Sequence, residues 1–357
     1  MEIKITKAQE QKPHVPVDQL GFGRVFTDHM AVMEFKKESW GDANILPFGP
    51  LPLHPASTVL HYGQEVFEGL KAYRAEDGRI LLFRIRDNFE RMNEGAQRVA
   101  LPKVNVEDAI RVVATLVDLD REWVPDAEGT SLYIRPNLFG TDPKLGVDAS
   151  QNAMLNVICS PSGSYYEKGL APIRIYVESQ YVRAVRGGVG YIKTGGNYAA
   201  SLAAGELAHQ KGFSQVLWLD GIEQKYVEEV GSMNIFFRFK DELVTPALQG
   251  SILSGITRRS VIELAKSFHM PVHERRISME EVFERAQNGE LLEAFGSGTA
   301  AVISPIGVLR WNDRDVVINQ EKIGELSQKL YDTLTGIQYG RIDDSFGWVT
   351  EVRPNQR

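Results

Sequence analysis

The chain has 357 residues, of which 43% are hydrophobic and 24% are charged, and its formal net charge is -7. This length predicts two domains, and the ordinary composition argues against extensive disorder. The acidic excess is spread along the chain without a basic stripe, so we expect no nucleic-acid partner. The single cysteine, Cys159, excludes a disulfide framework and a cysteine zinc site within one chain.

The N-terminal segment and the hydropathy predict a cytoplasmic protein. Residues 1–12 are polar and charged, with neither the apolar core of a signal peptide nor an Arg/Ser-rich leader. No apolar run approaches the roughly 20 residues that a membrane helix needs. One cysteine also fits a reducing compartment. We therefore expect no membrane partner.

The first part of the chain predicts a mixture of strands and helices. Short apolar runs bounded by turn residues predict four strands: 67–73, 80–83, 132–134 and 154–159. Apolar residues at every third or fourth position predict two helices: 86–99, with Phe89, Met92 and Ala96 on one face, and 106–123. These elements predict a smaller N-terminal α/β domain over residues 1–159.

Serine, proline and glycine cluster at 160–164 and predict an interdomain linker over residues 160–172. Further strands are predicted at 173–177, 215–219, 226–230 and 234–237. Further helices are predicted at 255–268, 278–286 and 321–334. Ser278 and Glu281 form a capping box, and Asp220-Gly221 is a hairpin signal. This order predicts an α+β fold, with a larger C-terminal domain of mixed sheets and helices over residues 173–357.

One lysine lies in the most unusual segment of the chain. Residues 187–198 contain five glycines around Lys193, which follows Ile192 and has a tyrosine on each side. An apolar setting lowers the pKa of a lysine, and a neutral amine is the nucleophile that forms an imine with an aldehyde cofactor. A flexible loop with a solvated lysine is one alternative. A phosphate loop is another, but the Gly-x4-Gly-Lys-Ser/Thr and Gly-x-Gly-x-x-Gly orders are absent.

Four further motifs have both a binding interpretation and a structural one. Residues 255–258 begin a predicted helix whose backbone N–H groups suit a phosphate, although an ordinary helix cap has similar residues. Residues 295–300 predict a glycine-rich turn with a hydroxyl group. Arg91 suits either a surface salt bridge or a phosphate. Glu228-Glu229 suits a protonated pyridine nitrogen, or else forms a pair of exposed glutamates on an edge strand.

Taken together and in this order, the motifs resemble those of the branched-chain aminotransferases, which are fold-type IV enzymes that use pyridoxal 5'-phosphate. The resemblance extends from Phe22 to Trp348. Seven segments carry it: 21–30, 60–73, 132–136, 193–198, 229–234, 255–258 and 298–300. The Gly-Phe-Gly and Phe-Thr-Asp-His-Met stretches within the first segment resemble the longer subgroup that includes the eukaryotic enzymes.

The resemblance implies a two-domain fold-type IV fold, pyridoxal 5'-phosphate as the cofactor, and a role for each matching residue. Lys193 is implied to be the catalytic residue, which holds the cofactor as a Schiff base and moves the proton. The other implied cofactor-binding residues are Arg91, Tyr198, Glu229, Ile256, Thr257 and Thr299. The implied substrate-binding residues are Phe22, Tyr62, Phe67, Tyr133, Arg135, Thr299 and Ala300.

The resemblance also implies the reaction. L-leucine, L-isoleucine or L-valine and 2-oxoglutarate are expected to yield branched-chain 2-oxo acids and L-glutamate in ping-pong order. The family forms homodimers, so we expect a homodimer, and no metal is implied. The Cys-x-x-Cys pair that some members carry after Gly-Thr-Ala is replaced by Ala-Val-Ile-Ser at 301–304. D-amino acid aminotransferases, aminodeoxychorismate lyases and a non-catalytic metabolite-binding protein are the alternatives.

Overall fold

A computed structural model describes residues 1–163 and 170–354. Its strands in chain order are β1 (Ile3–Ile5), β2 (His29–Lys36), β3 (Ser39–Trp40), β4 (Ala43–Pro47), β5 (Glu65–Phe67), β6 (Leu70–Arg74), β7 (Ile80–Phe83), β8 (Ser131–Gly140), β9 (Ala153–Ser162), β10 (Ile173–Val177), β11 (Gln215–Leu219), β12 (Val227–Val230), β13 (Met233–Phe239), β14 (Leu243–Thr245), β15 (Val272–Glu274), β16 (Leu291–Gly298), β17 (Val302–Trp311), β18 (Arg314–Val317) and β19 (Val349–Val352). Its α-helices are α1 (Thr58–Tyr62), α2 (Ile85–Arg98), α3 (Val106–Leu119), α4 (Gly195–Ala199), α5 (Leu202–Gln210), α6 (Ile256–Ser267), α7 (Met279–Gln287) and α8 (Glu325–Gln338). This mixture of helices and sheets confirms the α+β prediction.

The first of two compact units comprises Met1–Tyr165, Ile192–Gly195 and Gly336–Arg357. Its sheet has the strand order β1-β4-β2-β9-β8-β6-β7-β19, with β3 beside β2 and β5 beside β8. Within the described residues, only β1 and β4 pair in parallel. The helices α2 and α3 contact each other, and the predicted inner face of α2 is buried: Phe89, Met92 and Ala96.

The second unit comprises Tyr166–Tyr191 and Gly196–Thr335. Its sheet has the strand order β12-β11-β10-β17-β16-β13-β14-β15, with β18 beside β17. Because β12 also pairs with β13, six of these strands close into a ring. The sheet is mixed, since β10 runs parallel to both β11 and β17. Apolar side chains from its strands, including Leu217, Phe237 and Ile306, form a buried core.

The units differ from the predicted domains at both ends. β9 pairs with β8 through Ser162, so the first three residues of the predicted linker, 160–172, are strand. This pairing satisfies the backbone hydrogen-bonding groups of residues 160–162, although their composition is typical of a turn. Residues 164–169 of the same linker lie outside the described residues. β19 pairs with β7, which places residues 336–357 in the first unit, and this unit contains more residues than the second.

Most predicted elements lie within a few residues of the observed ones. The strands predicted at 173–177 and 215–219 coincide with β10 and β11. The helix predicted over 321–334 begins only at Glu325, since residues 319–321 have positive φ angles that an α-helix excludes. The predicted 106–123 helix ends at Leu119 and is followed by a 3-10 turn. The strands β1 to β4 and β14 to β19 were not predicted, although β16 and β17 are long and largely buried.

The described residues contain neither a membrane-spanning helix nor a metal-binding cluster. No helix within 1–163 or 170–354 is both long and apolar enough to cross a membrane. These residues hold no cluster of three or more His, Cys, Asp or Glu side chains arranged for a metal ion. Cys159 is buried, and burial raises the pKa of its thiol.

The N-terminus of α7 offers a test of local stability. Ser278 accepts a hydrogen bond from the Glu281 backbone N–H at 3.1 Å, as one half of the predicted capping box requires. We expect Ser278→Ala to lower the free energy of unfolding by about 1 kcal/mol, because this N–H loses its acceptor. Urea unfolding checks the change. Ser278→Asp retains an acceptor and serves as the control, and equal losses in both variants would contradict the cap.

Candidate active site

The segment that carries Lys193 is attached to the edge of β5. The Phe67 backbone N–H donates to the Lys193 carbonyl at 3.0 Å, and the Thr194 hydroxyl donates to the Glu65 carbonyl at 2.8 Å. The Gly195 N–H donates to the Glu65 carboxylate. A Cβ atom at position 195 would lie 2.6 Å from that carboxylate, so a larger residue would require the Glu65 side chain to move. These contacts fix the backbone on both sides of the Lys193 amine.

The Lys193 amine lies in surroundings that favour its neutral form. Its Nζ atom is 4.8 Å from the centroid of the Phe67 ring, and the residue is partly buried. Desolvation by burial is the main cause that lowers the Lys193 pKa to about 8, and the positive charge of Arg91 acts in the same direction. The Glu68 carboxylate opposes this shift. Near neutral pH, a much larger fraction of this amine is therefore neutral than for an ordinary lysine.

Arg91 forms a buried ion pair rather than a surface salt bridge. Its Nε and Nη2 atoms each lie 2.7 Å from a different oxygen of the Glu68 carboxylate. The Arg91 side chain is 6% exposed and that of Glu68 is fully buried. Glu68 lies in the break between β5 and β6 and was not among the residues predicted from the sequence. The sequence signal that could have identified Glu68 is its position between Phe67 and Gly69, within segment 60–73 of the family resemblance.

Aromatic and cationic side chains of the predicted substrate pocket also meet in the first unit. The Arg135 guanidinium donates to the Tyr133 hydroxyl at 2.8 Å and lies 4.7 Å from the Phe67 ring centroid. The Phe22 ring meets the Tyr133 ring edge-on, with centroids 4.8 Å apart. Arg135 Nε is buried without a hydrogen-bond partner among the described residues. The first unit thus brings Phe22, Phe67, Tyr133 and Arg135 together.

Tyr62 is the exception among the predicted residues of this unit. It lies at the end of α1, is 42% exposed, and donates its hydroxyl hydrogen to the Leu145 carbonyl. In the described part of the unit, no hydrogen bond or ring contact joins Tyr62 to Phe67, Tyr133 or Arg135. The structure therefore does not place Tyr62 with the other substrate candidates.

The two adjacent glutamates of β12 are buried, so their interpretation as exposed edge-strand residues is wrong. Glu229 accepts a hydrogen bond from the Leu253 N–H at 2.7 Å and pairs with Arg183 Nε at 3.1 Å. Glu228 accepts from the Ser251 hydroxyl. Burial is the main cause that raises the Glu228 pKa to about 7. The two carboxyl groups of one strand are thus in different electrostatic settings.

Arg183 connects Glu229 to two backbone segments, and no sequence pattern pointed to it. The residue is 8% exposed. Its guanidinium donates to the Ser251 carbonyl at 2.9 Å and, from both terminal nitrogens, to the Gly190 carbonyl at 3.2 Å. Because a guanidinium is a rigid planar donor, these bonds fix the Glu229 carboxylate relative to both segments.

The N-cap residue of α6 is a glycine, which has no side chain to cap the helix. Its N-cap residue, Gly255, makes no side-chain hydrogen bond, and Ile256 and Thr257 are buried. A Cβ atom on Gly255 would lie 2.0 Å from the Asn234 side-chain oxygen, so a larger residue would require Asn234 to move. The N-cap residue therefore does not supply the side-chain cap that was the alternative interpretation, and the N–H groups of a helix N-terminus suit a phosphate.

Three remaining candidates lie near the ends of other elements in the second unit. Tyr198 is partly buried within α4, and its carbonyl accepts from the Ser201 hydroxyl at 2.7 Å. Residues 295–298 belong to β16 rather than to the predicted turn, which begins at Thr299. Thr299 and Ala300 are both partly buried. Gly296 and Gly298 are in a strand because β16 pairs with β13 and β17.

Comparison with known proteins places the chain in a family. A family model described as amino-transferase class IV matches residues 65–308. The chain belongs to the class IV aminotransferases. The aminotransferase is 54% identical to branched-chain-amino-acid aminotransferase 2 of Bacillus subtilis, over 98% of this chain and 97% of that one. It is also 54% identical to a probable branched-chain-amino-acid aminotransferase of Staphylococcus aureus, over 99% and 98% of the two chains.

Solved structures agree with this family. The branched-chain aminotransferase of Thermoproteus uzoniensis with norvaline has a TM-score of 0.75 and 27% identity, covering 91% of this chain and 100% of that one. The branched-chain amino acid aminotransferase of Thermobaculum terrenum in its PLP form has a TM-score of 0.73 and 25% identity, covering 90% and 98%. The predicted family and the predicted two-domain fold class are therefore confirmed.

The lowered pKa of Lys193 is testable without any cofactor. We expect acetylation of Lys193 by acetic anhydride to rise with pH around a midpoint of about 8, because only the neutral amine reacts. Peptide mass spectrometry of the full-length protein measures the midpoint. Lys4, whose pKa is raised by Asp42, is the internal control. The same midpoint for Lys4 and Lys193 would contradict the assignment.

The role of Arg183 predicts a large loss of stability. We expect Arg183→Met to lower the free energy of unfolding by ~3–5 kcal/mol, because a buried carboxylate loses its charged partner. Urea unfolding of the full chain measures the loss. The neighbouring Arg186 is exposed, so Arg186→Met is the matched control. If the two variants unfolded at the same urea concentration, Arg183 would not have this role.

Proposed function

We propose that this aminotransferase converts L-leucine, L-isoleucine and L-valine with 2-oxoglutarate into branched-chain 2-oxo acids and L-glutamate. The observation that carries the proposal is the Lys193 amine, which is partly buried beside Phe67 with a pKa of about 8. The relatives at 54% identity are named branched-chain-amino-acid aminotransferases, which supports the substrate class. We also propose ping-pong order, in which the first 2-oxo acid leaves before 2-oxoglutarate binds.

We propose pyridoxal 5'-phosphate as the cofactor. The donors present fit its groups: a helix N-terminus with a glycine N-cap and a buried guanidinium suit a phosphate, and a buried carboxylate suits a ring nitrogen. One related structure is described as complexed with a phosphopyridoxyl derivative of glutamate, and another contains pyridoxamine 5'-phosphate. When bound, this cofactor supplies an aldehyde that bonds to amines and a ring that accepts electrons.

Each proposed ligand follows from family membership and from the chemistry of its side chain. We assign the phosphate to Arg91 and to Ile256, Thr257 and Thr299. We assign the ring nitrogen to Glu229, whose carboxylate is held by Arg183 and the Leu253 N–H. Tyr198 is assigned to the ring hydroxyl through its phenol. Lys193 provides the amine that bonds to the aldehyde.

The same lysine is the proposed acid and base. When the substrate amine is joined to the cofactor, the Lys193 Nζ atom would accept the proton from the substrate α-carbon and would deliver it to the carbon of the cofactor that carried the aldehyde. A base must be neutral to accept this proton, and burial beside Phe67 favours that state. The hydrogen bonds from Phe67 and Thr194 hold the backbone while the side chain moves.

The aromatic cluster of the first unit supports an apolar side-chain pocket. Phe22, Phe67 and Tyr133 offer ring surface to leucine, isoleucine and valine. Each buried methylene contributes about 0.8 kcal/mol, so such a pocket discriminates only modestly among the three. Arg135 is proposed to bind a substrate carboxylate, supported by its buried Nε atom. We assign Tyr62, Thr299 and Ala300 to substrate binding through family membership.

A homodimer and a cytoplasmic location stay predictions. Apolar side chains of the first unit that are more than half exposed support an interface there: Leu60, Leu145 and Val147. They lie near one another in the fold, since the Tyr62 hydroxyl on α1 bonds to the Leu145 carbonyl.

The assignment of Lys193 predicts the loss of both activity and cofactor attachment. We expect Lys193→Ala to lose at least about 10³-fold in kcat, because no amine moves the proton, and to lose the absorbance of bound pyridoxal phosphate. Turnover of L-leucine with 2-oxoglutarate and the visible spectrum measure these changes. Borohydride should attach the cofactor to Lys193 of the unmodified chain.

A second buried lysine provides the control. Lys71 also has a pKa lowered to about 8 by burial, yet Lys71→Met should keep the absorbance and the borohydride product. Normal turnover in Lys193→Ala would refute the catalytic assignment. Turnover of D-alanine or aminodeoxychorismate in place of L-leucine would identify one of the alternative reactions, and the absence of any bound cofactor would indicate a non-catalytic protein.

A further inference from the structure

The pair of Glu68 and Arg91 is unusual because both charges are buried beside a third ionisable group. The Glu68 carboxylate is fully buried, and both of its oxygens bind the Arg91 guanidinium at 2.7 Å. The backbone around Glu68 is fixed as well, since its N–H donates to the Pro136 carbonyl at 2.9 Å. The carboxylate therefore determines the plane of the guanidinium.

Stability alone explains this pair poorly. Removing two charges from water is costly, and a buried ion pair is often no more stabilising than apolar side chains of the same volume. The Lys193 carbonyl accepts a hydrogen bond at 3.0 Å from the N–H of Phe67, the residue next to Glu68, and the two charges of the pair shift the pKa of Lys193 in opposite directions. The Glu68 carboxylate thus orients the Arg91 guanidinium and also offsets its charge at the Lys193 amine. The reaction explains this arrangement better than the stability of the fold does.

We propose that Glu68 is a positioning residue for the reaction, whose carboxylate fixes the guanidinium of Arg91 and offsets its positive charge beside the Lys193 amine. Two effects follow. Without the carboxylate, the guanidinium loses its two-point contact and its orientation. Its charge is then uncompensated, so the protonated form of Lys193 becomes less favourable. The first effect rests on the proposed function, in which Arg91 binds the cofactor phosphate, whereas the second does not.

A charge cycle tests the compensation in the full-length chain freed of small molecules. The readout is the midpoint pH for acetylation of Lys193. We expect Glu68→Gln to lower this midpoint by about one pH unit, and Arg91→Met to raise it. The double variant, Glu68→Gln with Arg91→Met, should return close to the original midpoint, because both charges are absent. A merely structural role for Glu68 would not produce opposite shifts that cancel.

A conservative variant separates orientation from charge. Glu68→Asp keeps the negative charge but is one methylene shorter, so the two-point contact with Arg91 is disrupted. We expect its Lys193 midpoint to stay close to that of the original chain. Its dissociation constant for pyridoxal phosphate should rise about tenfold, since the guanidinium is poorly oriented. Equilibrium titration of absorbance measures this constant.

The outcomes distinguish this inference from the proposed function. An unchanged Lys193 midpoint in Glu68→Gln, or failure of the double variant to restore it, would overturn the compensation. Unaltered cofactor affinity in Glu68→Asp would overturn the positioning. If the midpoints move as expected but L-leucine is not a substrate, the proposed function fails while the compensation stands. Should Glu68→Gln not fold, the uncharged double variant and Glu68→Asp still decide, because each avoids an unpaired buried charge.

Discussion

The attachment of a short distant segment to the edge of β5 determines the setting of the Lys193 amine. Residues 192–195 belong to the first unit, although the residues on both sides belong to the second. Hydrogen bonds from the Phe67 N–H and the Thr194 hydroxyl hold them there. The amine is thereby kept near an aromatic ring, where burial disfavours its charge. The reactivity of this lysine is a property of tertiary packing, since the same residue in an isolated peptide would be solvated and protonated.

Each unit contains a buried carboxylate that is fixed by an arginine. In the first unit these are Glu68 and Arg91, and in the second they are Glu229 and Arg183. The roles are reversed between the two pairs. Arg91 is the proposed ligand and its carboxylate orients it, whereas Glu229 is the proposed ligand and its arginine orients it. Arg91 contacts Glu68 at two points, and Arg183 contacts Glu229 and two backbone carbonyls. Such rigid contacts suit both tasks, because a misplaced charge is costly where water does not screen it.

Sequence patterns identified the parts of this arrangement that are local. Helical spacing gave α2 with the correct buried face, whereas the glycine-rich setting of Lys193 left a nucleophilic amine and a solvated lysine both open. Partners were not predictable, because Glu68 is 23 residues from Arg91, and the Ser251 carbonyl is 68 residues from Arg183. Periodicity and composition report on neighbours within a few positions. Tertiary packing brings these groups together, since Arg91 lies on α2 and both Arg183 and Ser251 lie outside the strands.

Glycine was the residue that local patterns described least well. The sequence left open a flexible glycine loop around Lys193, yet a Cβ atom at Gly190 would lie 2.3 Å from the Ala184 Cβ and 2.4 Å from the Ser251 carbonyl oxygen. At Gly195 it would meet the Glu65 carboxylate. These positions are therefore crowded, and glycine there permits close backbone approach. Crowding on both sides restricts the backbone that carries the amine, which is what a base needs if it is to return a proton to a defined atom.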